Sequence, residues 1–225
     1  MQLPNAPRAD KFQAIEKAIH DQRLARYAAA AGTTHKATLF QFYMWNCALC
    51  EAFYFPLQIA EITTRNAIHR TLLIQLGERW FEQPKFLDLL KKTSFERDLN
   101  ASIKREATQH GSSMTGHHVC SDLAFGFWEF LTTKRFERVL WVRGLHGSFP
   151  QAPTSASAKD ELHNLIESVR RWRNRIAHHK AIFDKSPSRK YQDTLTLIRW
   201  VCNDTADWVA SVSTVQAVIN SRPHP

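Results

Sequence analysis

The sequence predicts an all-α fold, a helical bundle with additional N-terminal helices, and three observations predict it. Apolar residues recur at three- and four-residue intervals through long segments instead of alternating. The 225-residue chain holds only 7 glycines, too few for a turn-rich β architecture. Helix stops fall where the periodic segments end, at Gly32 and Gly77. Hydrophobic residues make up 44% of the chain, enough to fill a core.

The elements follow in order. Met1–Asp10 carries two prolines and reads as loose. A helix is expected over Lys11–Ala31, with Thr33 or Thr34 capping the next one. An aromatic helical run spans Lys36–Phe55, and Pro56 either kinks it or starts a new helix over Leu57–Leu76. Two stretches read as loops, Thr108–His118, rich in Gly, Ser and His, and Gly144–Ala158, which contains GSFPQAPTSASA. Neither side of the second loop has a complete core alone, so one domain over residues 1–225 is expected. Ser157 and Asp160 form a capping-box-like start for a helix with apolar positions at Leu162, Leu165, Ile166, Val169, Trp172 and Ile176. Helices over Tyr191–Val201 and Thr205–Asn220 complete the chain.

Composition also bounds the partners. The net charge of +9 favours a polyanion, most simply nucleic acid; an indifferent basic surface is the other reading. The apolar stretch Tyr43–Ala60 is broken by Asn46, Glu51, Pro56 and Gln58, which makes it a buried helix and not a membrane span. The chain starts with no secretory signal, and its four cysteines have no disulfide-framework spacing, so a cytoplasmic location is expected.

The segment RWRNRIAHH, Arg171–His179, concentrates cations, an amide and paired imidazoles. On an ideal helix Arg173 lies roughly 50° from the centre of the apolar stripe, while Arg173 and His178 are roughly 140° apart. Asn174 and His178, four residues apart, share one side. An arginine at the edge of a buried face needs a carboxylate or must snorkel outward, and Glu61 is a candidate partner. The residue types suit metal-free RNA cleavage. Histidine titrates where it can take a ribose 2′-hydroxyl proton or protonate a 5′-oxygen. Arginine supplies cation where charge develops on phosphorus. Asn174 can orient the histidine or bind an oxygen. Arg170, Arg171, Arg175 and Lys180 are candidate phosphate contacts. The plainer reading of the same pattern is a solvated basic helix face.

The run RNRIAHH, Arg173–His179, resembles the R-x4-6-H motif of the HEPN superfamily, in which Asn often follows the Arg. The longer RNRIAHHKAIF is similar to the Abi-like branch, named for phage abortive infection, with Lys180-Ala181 in place of a typical Glu-Pro. The segments YMWNCALCEAFYFPLQIAEITTRNAIH and FGFWEFL (Phe125–Leu131) extend the resemblance, which covers about residues 20 to 220. It implies a HEPN-type helical bundle, commonly a homodimer, and a metal-independent endoribonuclease of toxin or phage-defence character. Such enzymes leave 2′,3′-cyclic phosphate and 5′-hydroxyl ends, and some are held by a cognate antitoxin. It assigns Arg173 and His178 as the catalytic pair, with Asn174 as polar auxiliary. Some relatives only bind RNA or nucleotide, so an inactive binding module is the alternative.

Three further patterns carry less. Glu61, Arg65 and His69 recur at four-residue spacing as an echo of the motif, readable as a supporting cluster in which Glu61 holds Arg173 or Arg65, or as an ion pair on a solvated face. His179 is a further auxiliary candidate. Cys47-x2-Cys50 lies in an aromatic helical run without two matched ligands, so core thiols are expected, with no metal and no cofactor.

Overall fold

The computed structural model describes residues 6–142 and 144–223. Among the described residues there is no strand, and the fold is all-α. The expected loose segment at the N-terminus falls partly on residues 1–5, outside the described ones.

The segment expected as one helix over Lys11–Ala31 is two, α1 (Phe12–Ile19) and α2 (Asp21–Ala31). The break is His20, whose φ of 71° is left-handed. Gly32 ends α2 in the left-handed region, as its sequence position suggests.

The central element is α3 (Lys36–Leu76), 41 residues and about 60 Å long. Neither Thr33 nor Thr34 caps it. His35 holds the N-cap position, and the Thr33 hydroxyl accepts the His35 N–H before the helix begins. Pro56 lies inside the helix, buried, and the helix runs through it. Much of α3 is buried (Phe40, Phe42, Trp45, Phe53, Leu57, Ile68 and Leu72 among its residues), because α2, α7 (Phe125–Phe130), α8 (Ala158–Ala177), α9 (Pro187–Val201) and α11 (Val215–Asn220) all pack on it, while Glu51, Tyr54, Gln58, Asn66 and Arg70 keep one stripe exposed.

Residues 108–118 are largely helical, against the loop expected there. After α4 (Pro84–Leu90), α5 (Ser94–His110) continues to Gly111, a 3-10 turn follows, and α6 (Gly116–Asp122) begins at a capping box. In that box the imidazole of His118 takes the place usually held by Glu, accepting the Thr115 N–H at 3.1 Å. The glycine, serine and histidine residues that resemble a loop are therefore helix terminators and caps.

Residues 144–157 form turns, as expected, but Leu145, Phe149 and Ala152 are buried and the Gln151 N–H donates to Trp200 on α9. Ser157 precedes α8 in a helical conformation, so it forms no capping box with Asp160; its hydroxyl donates to Glu161 instead, at 2.5 Å. α9 starts four residues earlier than expected because Pro187 supplies its first turn. The last expected helix is split at Ser213 into α10 (Asn203–Val212) and α11. No helix of the described residues is long and apolar enough to cross a membrane.

Candidate functional site

α8 carries the motif. Its apolar stripe, Leu162, Ile166, Val169 and Trp172, is buried, with the Trp172 ring edge-on to Phe53 of α3 at 5.3 Å. That packing fixes the rotation of α8, and the polar motif residues take their directions from it.

Arg173 emerges on the α3 side. Its Nε and Nη2 donate to the two carboxylate oxygens of Glu61 at 3.0 and 2.8 Å, a bidentate pair between half-buried side chains. Its Nη1 donates to Oδ1 of Asn174 at 3.1 Å. Of the two partners the sequence offers for Glu61, the structure selects Arg173. Arg65 reaches in another direction, with Nη1 3.5 Å from the Ser121 carbonyl, and its Nε is buried without a partner. His69 is buried against Trp80, Trp128 and His117. The echo Glu61, Arg65, His69 therefore separates: only Glu61 touches the motif. Burial, with the neighbouring His117 and Arg65, holds the His69 imidazole down at about 4.

The helix ends inside the motif. α8 stops at Ala177, His178 is the C-cap and His179 has φ 53°. The His179 N–H donates to Ile176 at 2.8 Å and the Lys180 N–H to Arg175 at 3.0 Å, the two bonds of a Schellman motif. A left-handed residue at that position is usually glycine; here it is histidine. His178 thus leaves the helix on the exposed side, while Arg173 remains on the α3 side.

His178 and Asn174 open on a cleft of about 730 Å³ between α8 and the start of α9. It is lined by five cations, Arg171, Arg175, Lys180, Lys185 and Lys190, against two carboxylates, Glu167 and Asp184. Of the phosphate contacts expected from sequence, Arg171, Arg175 and Lys180 line it. Arg170 does not: its guanidinium is bound to Glu129 of α7. Arg175 also donates its Nε to the Ala181 carbonyl, bracing the turn. Lys185 and Lys190 are cleft residues that sequence reasoning missed; their signal is the lysine spacing across the Pro187 helix start.

Two more residues had no local signal because they are distant in sequence. The Asn46 side chain, buried in α3, accepts the N–H groups of Ile182 and Phe183 at 2.8 and 3.3 Å, fixing the segment after the motif. Arg23 of α2 donates to the His179 carbonyl.

The cysteines are only partly core. Cys120 is buried and Cys50 half-buried, and burial pushes both thiols up to about 11, but Cys47 is exposed. Among the described residues no three His, Cys, Asp or Glu side chains stand together as a metal-ligand group.

Residues 11–184 match the family model described as Abi-like protein. The chain belongs to the Abi-like family. The match takes in α1 to α8 and the turn after the motif, ending at Asp184 on the cleft wall; α9 to α11 lie beyond it. Abi-like membership points to abortive infection and defence against phage. Comparison with curated proteins and with solved structures gives no match.

Proposed function

We propose that this Abi-like chain is a metal-independent endoribonuclease of the HEPN type, serving as a toxin or phage-defence effector. The observation that carries this reading is the opening of His178 and Asn174 onto a cleft lined by five cations and two carboxylates. Cations there suit a phosphodiester backbone, which they position without reading sequence.

In the proposed reaction a ribose 2′-oxygen attacks the adjacent phosphorus and the bond to the 5′-oxygen breaks. His178 removes the 2′-hydroxyl proton or delivers a proton to the departing 5′-oxygen. The products end in 2′,3′-cyclic phosphate and 5′-hydroxyl. Glu61 and Asn174 occupy three of the N–H donors of Arg173, which leaves about two for the charge that develops on phosphorus. Asn174 is the bridge, since its carbonyl oxygen holds Arg173 and its side of α8 faces the cleft. A homodimer that brings one chain's Arg173 toward the other's cleft fits the separation of the two side chains. Restraint by a cognate antitoxin belongs to the same reading.

One observation favours a second reading, a catalytically silent RNA- or nucleotide-binding module: within one chain Arg173 and His178 lie on different sides of α8. The deciding experiment is incubation with total RNA in EDTA, followed by analysis of product ends. Cleavage to cyclic phosphate supports the enzyme. Salt-sensitive RNA binding with no product supports the module.

A further inference from the structure

The motif turn has an unfavourable backbone conformation and a bond to it from outside. His179 has φ 53°, a region disfavoured for an L-residue with a β-carbon and open to glycine. Local hydrogen bonds explain its N–H, which donates to Ile176, but not the direction of its carbonyl. The carbonyl is fixed by Arg23, from α2, 156 residues earlier in the chain. One helical turn further along α2, Arg26 bonds the Asp184 carboxylate at 2.5 Å. Together these bonds tie α2 to both ends of the segment His179–Asp184, whose middle is tied to α3 through Asn46.

We propose that Arg23 is a positioning residue for His178: by fastening the His179 carbonyl it holds the left-handed turn and so sets where the adjacent imidazole stands at the cleft mouth. The consequence for turnover rests on the nuclease reading; the consequence for the turn does not. Arg23 is not among the residues that line the α8–α9 cleft, so its loss removes none of the cleft's cations. If the guanidinium works through the backbone of His179, a glycine at 179 makes it dispensable.

The test is a double-mutant cycle of Arg23→Ala and His179→Gly, read by melting temperature and by cleavage of a labelled RNA. Arg23→Ala alone is expected to lower the melting temperature and slow cleavage on the order of ten-fold, while affinity for a non-cleavable 2′-O-methyl RNA stays within about two-fold. In the His179→Gly background the same substitution is expected to change neither readout by more than about two-fold or a degree. Equal losses in both backgrounds, no loss in either, or a loss of affinity in place of rate would overturn the proposal. Should the wild type leave RNA uncut, the nuclease reading fails, and the melting cycle alone still decides whether Arg23 stabilises the turn.

Discussion

Glu61 of α3 and Arg173 of α8 form a two-point ion pair, at 2.8 and 3.0 Å, across the packed seam between the two helices. It joins the motif to the longest helix of the fold. Each side chain keeps part of its surface in water, 21% for Glu61 and 37% for Arg173, so its net worth is modest. Removing one partner costs more than the pair gains, because a half-buried charge is left alone. Glu61→Gln is expected to destabilise the protein by about 1–2 kcal/mol in urea unfolding. Arg173→Met combined with Glu61→Gln should recover part of that loss. Additive losses would mean the pair contributes nothing.

Asn46 is the second anchor. Its side-chain oxygen takes two amide hydrogens from the turn after the motif inside the core. Asn46→Ala leaves both amides buried and unpaired, so a loss of about 2 kcal/mol is expected. Hydrogen exchange at Ile182 and Phe183 should accelerate more than at Leu197 in α9. Uniform acceleration would indicate general weakening instead.

The buried His69 gives stability a pH dependence of known sign. Its folded value, near 4, lies below its ordinary value of 6.5. The unfolded chain therefore binds a proton that the folded chain refuses, and stability present above pH 6.5 falls as the pH drops toward 4. Summed over that window, the loss is about 3 kcal/mol. His69→Phe should lose less stability than the wild type between pH 6.5 and 4 in paired denaturation curves. Parallel curves would show that His69 is not held neutral by the fold.

Gly116 permits a close approach that no other residue type allows. A β-carbon there would stand 2.7 Å from Trp80 Nε1 and 2.8 Å from the Glu78 carbonyl. Trp80 lies at the centre of an aromatic cluster with Phe86 and Trp128 and has no room to retreat. Gly116→Ala is expected to destabilise by about 2 kcal/mol or more, whereas Gly147→Ala, which meets nothing within 4 Å, should fall within about 0.5 kcal/mol of the wild type. Thermal melts of the two variants make the comparison.

The legible parts of this molecule are those in which neighbours in sequence decide the outcome. Periodicity marks α3 and α8, the apolar stripe of α8 fixes which way Arg173 points, and Gly32 and Gly77 stop their helices because glycine tolerates positive φ. Local chemistry misleads where a side chain has two uses. The histidines and serines of residues 108–118 look like loop residues and act as caps. An ideal wheel carried through His178 misses the end of the helix, since a Schellman turn at a non-glycine residue carries no glycine signal, and the side chains that brace the segment, Arg23 and Asn46, come from far away. For the same reason Arg170 reads as an RNA contact until Glu129 is seen to hold it. The cleft itself needs the α9 lysines, which become neighbours of the motif only in three dimensions.

The most direct measurement is the rate at which a 5′-labelled RNA is cut in EDTA by the wild type and by His178→Ala. His178 is exposed and contributes nothing to the core, so the variant should melt like the wild type. Loss of a general acid or base predicts a rate lower by about 10²- to 10⁴-fold, with RNA binding retained. Equal rates in the two proteins would contradict the assignment of His178 and, with it, the account of the motif as a cleavage site.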